Sequence, residues 1–155
     1  MKSLNKNKKY VQGIYNPKNI KKYKGSFPII YRSKMELFSF RYLDNSSNVI
    51  SWGSESVIIP YQSPVDGKVH RYFVDLVAEI KMKDNTTKKV LIEVKPEKQT
   101  KPPTTSNRKS QKTMIYEKYN YAVNLSKWDA AQKWAKNKGY VFFILTEKHL
   151  NNNVF

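Results

Sequence analysis

The chain has 155 residues, 39% hydrophobic and 14% aromatic, with a formal net charge of +17. That length suits one domain with a real core and is short for two. The lack of cysteine excludes disulfides and thiolate metal centres, and two histidines argue against a histidine-rich zinc site. No apolar run reaches the ~20 residues of a membrane helix, and no signal-peptide core follows the basic N-terminus. Twenty-nine Lys and Arg against 12 acids point to a polyanionic partner, most simply nucleic acid held through its phosphates. A ribosomal or generally basic protein would show the same balance.

Residues 1–28 read as a basic arm with little apolar periodicity, partly ordered by Tyr10, Ile14 and Tyr15, whose Lys8 and Lys9 can follow a phosphate backbone. The folded domain is expected over residues 29–148, and 149–155 reads as a polar tail. A helix is predicted from Ser33 to Leu43. Ser33 is its N-cap, and Glu36, three residues on, completes a capping box. Glu36 also shares a stripe with Phe40 and Leu43, at the edge of the buried face.

Short strands follow at Val49–Trp52 and Ser56–Tyr61, then a hairpin connection over Gln62–Lys68 with Ser63-Pro64 and Asp66-Gly67. One long strand is predicted over Val69–Met82. Its alternation puts Phe73, Asp75, Val77 and Glu79 on one face, and Tyr72, Val74, Leu76, Ala78 and Ile80 on the other. Asp75 then sits mid-strand, where an aspartate needs an explanation.

After a turn at Lys83–Thr87, the run Lys88–Pro96 reads as a buried strand interrupted by Glu93 and Lys95. Two positions apart on a strand, these side chains share a face, roughly 6–7 Å apart along the chain. Such a pair is either a local ion pair at a sheet end or part of a metal-and-water site, since unpaired charge is costly to bury. If the two strands pair antiparallel, Asp75 and Glu93 can converge.

Glu97–Ser110 reads as a polar surface loop. A helical pattern runs from Lys109 to Leu125, with Gln111 and Lys112 in its first turn. A second helix is predicted to start at Ser126, with Asp129 at its third position and Gly139 as C-cap. Tyr140–Thr146 is an apolar run suited to a strand covered on both faces. The expected architecture is one α/β domain, a mixed sheet flanked by helices.

Helix Glu36, strand Asp75 and the triplet Glu93-Val94-Lys95 together resemble the PD-(D/E)xK nuclease superfamily. Within it, His70-Arg71-Tyr72-Phe73-Val74-Asp75 is similar to the aspartate region of TnsA-type transposon endonucleases. Closer still is the resemblance to the head completion nucleases of T4-like tailed phages. It is carried by Ile30-Tyr31-Arg32-Ser33 with Glu36-Leu37, Ile58-Ile59-Pro60-Tyr61 with Ser63-Pro64-Val65-Asp66, and His70–Asp75, and it spans about residues 12–146. Val74 stands where the superfamily often has proline.

The resemblance implies a restriction endonuclease-like fold with an αβββαβ core and a Mg²⁺-dependent DNA endonuclease, with Mn²⁺ as a substitute. Asp75, Glu93 and the Val94 backbone carbonyl would be metal ligands, Lys95 would act on the attacking water, and Glu36 would serve a second shell or second metal. His70, Arg71, Gln111 and Lys112 become candidate DNA contacts. No base-reading element is apparent, so double-stranded or branched DNA would be bound through its backbone. The implied setting is processing of packaged DNA in the host cytoplasm, with phage head or neck proteins as partners and retention in the virion as the alternative. A monomer is the default. The competing readings are a non-catalytic DNA- or connector-binding head protein, and a basic RNA-associated protein with a buried ion-pair network.

Overall fold

The computed structural model describes residues 11–150. Lys8 and Lys9 of the expected arm, Tyr10, and residues 151–155 of the tail lie outside the described residues. In chain order the elements are β1 (Gly13–Tyr15), β2 (Ile29–Tyr31), α1 (Lys34–Asn45), β3 (Val49–Ser54), β4 (Ile58–Gln62), β5 (Val69–Phe73), β6 (Leu76–Lys81), β7 (Thr87–Val94), α2 (Gln111–Lys138), β8 (Tyr140–Leu145) and α3 (Glu147–Leu150). A four-stranded sheet in the order β3-β6-β7-β8 forms the centre. It is antiparallel except for the parallel pair β7–β8, which α2 connects. Parallel neighbours need such a crossover. Leaving out the β4–β5 hairpin, the succession α1-β3-β6-β7-α2-β8 is the expected αβββαβ core of a restriction endonuclease-like fold.

The sheet is covered on both faces, as the near-continuous apolar run of β7 requires. On one face Phe40 and Leu43 of α1 pack with Trp52, Leu76, Ala78, Ile80, Val90 and Ile92. On the other, Leu91 packs with Trp128, Ala131 and Ala135 of α2 and with Ile59, Tyr72 and Val74. Alternation along β7 therefore aims Glu93 at the second face, with Leu91.

Two expectations are corrected. The strand over Val69–Met82 is two strands: β5 pairs with β4, the chain bends at Val74–Asp75, and β6 joins the central sheet. The bend breaks the alternation, so Tyr72 and Val74 face α2 while Leu76, Ala78 and Ile80 face α1. Residues 109–138 hold one helix, capped by Ser110, whose Oγ accepts from the Thr113 N–H at 3.1 Å. No Pro or Gly interrupts it before Gly139, which ends it in the left-handed conformation at φ 76°. Ser126 is therefore interior, and Asp129 pairs with Lys133 one turn on at 2.8 Å. The described part of the expected arm packs on the domain, with Tyr15 among the residues that order it: β1 pairs with β2, and Tyr15 and Tyr23 enter the core around Trp52.

Asp44, in the last turn of α1, is the anchor of that packing. It is fully buried. Its carboxylate accepts from the Tyr15 hydroxyl and the Lys18 N–H, each at 2.7 Å, and from the Asn19 N–H at 3.1 Å. The Lys22 ammonium donates to its backbone carbonyl at 2.9 Å. Burial alone would push the carboxyl pKa up, but the Tyr15, Lys18 and Asn19 hydrogen bonds and Lys22 hold it below its usual value. A depressed pKa adds stability that is present at neutral pH and lost as pH falls below about 4. Asp44→Ala should cost about 2–4 kcal/mol in urea unfolding, because several donors lose a buried charged acceptor together. A cost under about 0.5 kcal/mol, the level of an ordinary surface change, would refute the anchoring role.

Candidate active site

The bend between β5 and β6 places Asp75 beside the end of β7. Val74 reaches the bend with its N–H donated to the Val57 carbonyl at 3.0 Å, a bond that a proline in that position could not make. The Asp75 carbonyl accepts from Glu55, whose backbone is left-handed at φ 53°. On the other side, Asp75 Oδ2 accepts from the Val94 N–H at 2.8 Å, which fixes the carboxylate against β7.

Leu76 is paired with Ile92, so Asp75 reaches the level of Glu93 and the two carboxylates converge. Glu93 is buried. One of its oxygens accepts from the Tyr72 hydroxyl, and the other lies 3.3 Å from the Lys95 ammonium. Lys95 itself is held where β7 ends, its N–H donated to the Leu145 carbonyl at 2.9 Å. Burial first, then the Glu93 charge and more weakly Glu36, push the Asp75 carboxyl well above its usual range, against the Val94 N–H and Lys95, which pull it down. Two carboxylates thus share one half-buried lysine. The site is short of positive charge.

Glu36 stands at the N-terminus of α1 and is half-buried. The capping box forms in a shifted version: Ser33 Oγ accepts from the Glu36 N–H at 3.1 Å, while Glu36 Oε2 accepts from the N–H of Arg32 at 2.6 Å rather than that of Ser33. Burial raises its carboxyl pKa, opposed by Arg32 and reinforced by Glu55 and Glu93. Glu36 is therefore within the field of the Asp75–Glu93 pair. Among the described residues, no three Asp, Glu, His or Cys side chains gather tightly enough to enclose an ion by themselves.

The remaining candidates lie outside this cluster. His70 pairs with Asp66 at 2.7 Å on the hairpin, and the Arg71 guanidinium lies 5.5 Å from the Phe73 ring centre. Gln111 and Lys112 are exposed in the first turn of α2. Two residues that bear on the cluster escaped the sequence reading. Strand alternation puts Tyr72 on the face opposite Asp75, and only the bend brings its hydroxyl to Glu93. Lys127 of α2 sits over the rings of Tyr72 and Tyr61, 5.5 and 5.7 Å from their centres, a pairing that no sequence spacing signals.

Comparison with known proteins places the chain in a family. The model of the TnsA-like endonuclease N-terminal family matches residues 46–147, which include Asp75, Glu93 and Lys95 but not Glu36. The head completion nuclease of Enterobacteria phage T4 is 43% identical over 142 residues, covering 89% of this chain and 92% of the relative. No solved structure matches the chain. Family match and identity, each over most of the folded residues, agree with the αβββαβ core: the chain belongs to the TnsA-like endonuclease family.

Proposed function

We propose that the protein is a Mg²⁺-dependent DNA endonuclease that processes packaged DNA during phage head completion, in the host cytoplasm. The observation that carries the activity is the convergence of Asp75 and Glu93 beside Lys95 at the end of the central strand. The setting rests on the relative named a head completion nuclease. Residues 29–148 form the nuclease domain in this reading, and the basic segment before it supplies phosphate contacts. Head or neck proteins are the expected partners, and the +17 charge holds DNA near a site whose own carboxylates repel it.

The donor set fits a hard divalent cation. Mg²⁺ takes a few carboxylate oxygens and keeps water and substrate phosphate in its other positions, so two protein carboxylates and the Val94 carbonyl suffice. When bound, the cation would neutralise charge on the phosphate and acidify a water. Asp75 and Glu93 are the side chains that would hold it. Lys95 orients the attacking water and offsets the negative charge that grows on the phosphate. The water oxygen bonds to phosphorus as the bond to the leaving oxygen breaks; the water gives up a proton to solvent and the leaving oxygen takes one from it, which gives a phosphate end and a hydroxyl end. Glu36, fixed by the Arg32 N–H, adds its charge to the site from behind the two carboxylates that would hold the ion.

Tyr72 orients Glu93. By donating to one oxygen it leaves the other for Lys95 and the cation. Tyr72→Phe, which keeps the ring beneath Lys127, should weaken Mn²⁺ binding by about 10–100-fold in calorimetric titration, as expected for loss of a ligand's outer partner. At saturating metal the cleavage rate should largely recover. Unchanged Mn²⁺ affinity would remove Tyr72 from the site.

The direct test is incubation of the purified protein with linear, nicked and branched DNA, in Mg²⁺, Mn²⁺ or EDTA. Cleavage in either metal and none in EDTA is expected. A protein that binds DNA yet cuts none of these substrates in either metal would instead be a structural component of the head.

A further inference from the structure

We propose that the groove between the segment after Lys95 and the first half of α2 holds an unpaired DNA strand and leads it to the catalytic cluster. The proposal rests on the nuclease reading above and names the form of DNA that the site would take.

The groove is a cavity of about 540 Å³ lined by Lys98, Lys101, Tyr116, Asn120, Tyr121 and Asn124, among others. Its size lies within the ~300–1,000 Å³ of small-ligand sites, room for a nucleotide or two and not for a duplex. Its chemistry has three parts that suit unpaired nucleotides. Exposed lysines meet phosphates, amide side chains meet the open edges of bases, and tyrosine rings stack on them. Tyr116 has two-thirds of its surface exposed, so a flat partner can reach its ring without rearrangement. Lys109 is committed elsewhere: it donates to Glu117 at 2.9 Å and to the Thr104 carbonyl at 3.0 Å, bracing the loop against the helix. Lys101 lies 3.5 Å from Glu97 in an exposed pair, which a phosphate can displace.

Both walls run back to the cluster. One wall begins at Lys98, three residues beyond Lys95. On the other, Tyr116, Asn120, Asn124 and Lys127 follow each other at spacings of four, four and three, a single stripe of α2. That stripe ends where Lys127 covers Tyr72, the residue bonded to Glu93. At 1.5 Å per residue it is about 16 Å long, a few nucleotides of one strand. The fold thus joins a stacking surface to the Asp75–Glu93 pair along one helix face.

The test is fluorescence anisotropy with the full chain in Ca²⁺, using labelled oligo-dT, a duplex of equal length and oligo-rU. Tyr116→Ala should weaken oligo-dT binding by about tenfold, the scale of one lost base stack, and leave duplex binding unchanged. Tyr116→Phe should bind as the wild type does, because the phenyl ring still stacks. Replacing Lys98 and Lys101 by Ala should flatten the salt dependence of oligo-dT binding by about 1.4 in log–log slope. The proposal is overturned if Tyr116→Ala weakens both DNA forms equally or neither, or if oligo-rU binds more tightly than oligo-dT. Cleavage is scored separately on Asp75 variants. Tyr116-dependent strand binding with no metal-dependent cleavage would overturn only the nuclease reading. Cleavage without that binding would overturn only the groove.

Discussion

Asp75→Asn is expected to abolish metal-dependent cleavage and, without metal, to raise the melting temperature. Both effects come from the same charge. In the nuclease reading a bound cation lowers the barrier by several kcal/mol, so loss of an anionic ligand should slow cleavage by about 10³-fold or more. Without the cation, the charge is a burden: Asp75 is held in a desolvated position next to buried Glu93, whose ion-pair partner is Lys95. Asparagine keeps an oxygen for the Val94 N–H and drops the repulsion. A gain of about 1 kcal/mol would appear as roughly 2–4 °C in a melt of the EDTA-treated protein. Wild type should gain stability from added Mn²⁺, and the variant should not. A variant that cuts DNA at the wild-type rate would end the assignment of Asp75 as a metal ligand.

Lys95→Ala should also stop cleavage, with the opposite sign in the melt. A positioned group acting on the attacking water contributes about 10²–10⁴-fold, and that is the expected fall in rate. Here the loss leaves buried Glu93 without its ion-pair partner, and the metal-free protein should be destabilised by about 2–3 kcal/mol. Mn²⁺ should bind the variant at least as tightly as wild type, since both carboxylates remain and their charge is less compensated. Cleavage by the variant within about threefold of wild type would leave Lys95 as a structural ion-pair partner and no more, since a positioned group contributes far more than that. The two substitutions, read together, separate a site awaiting a cation from a closed salt-bridge network. In a network, removal of either member should destabilise the fold.

The sequence made legible those features that depend on local pattern. The Ser33 cap, the β6–β7 turn, the Gly139 stop and the apolar β8 run all follow from spacing and residue type. So does the sharing of one face by Glu93 and Lys95, because a two-residue separation in a strand allows nothing else. The parts that stayed hidden depend on where the chain changes partner. Nothing local marks Val74–Asp75 as a bend, since the apolar alternation runs straight through it. The bend is imposed by Val57 and Glu55, some twenty residues away, which take the backbone groups of Val74 and Asp75. Tyr72 was misplaced for that reason. The supposed break at Ser126 failed in another way. A good capping residue caps only where the preceding turn is free to unwind, and here the stretch before Ser126 is helical and carries the groove. Asp44 shows the same limit, because its partners Tyr15, Lys18 and Asn19 precede it by 25 to 29 residues.

Lys95 is tethered through its backbone to Leu145, fifty residues further along the chain. Between them lie a loop and the whole of α2. The central strand thus closes its open edge only when the last strand arrives, and this is the pairing of highest contact order in the sheet. During synthesis, β3, β6 and β7 can assemble as an antiparallel unit, yet the residue that would act on water has no fixed position until β8 docks. The nascent chain would therefore carry both carboxylates well before it could cut anything. Competence would come late and all at once, timed by translation of the C-terminal strand.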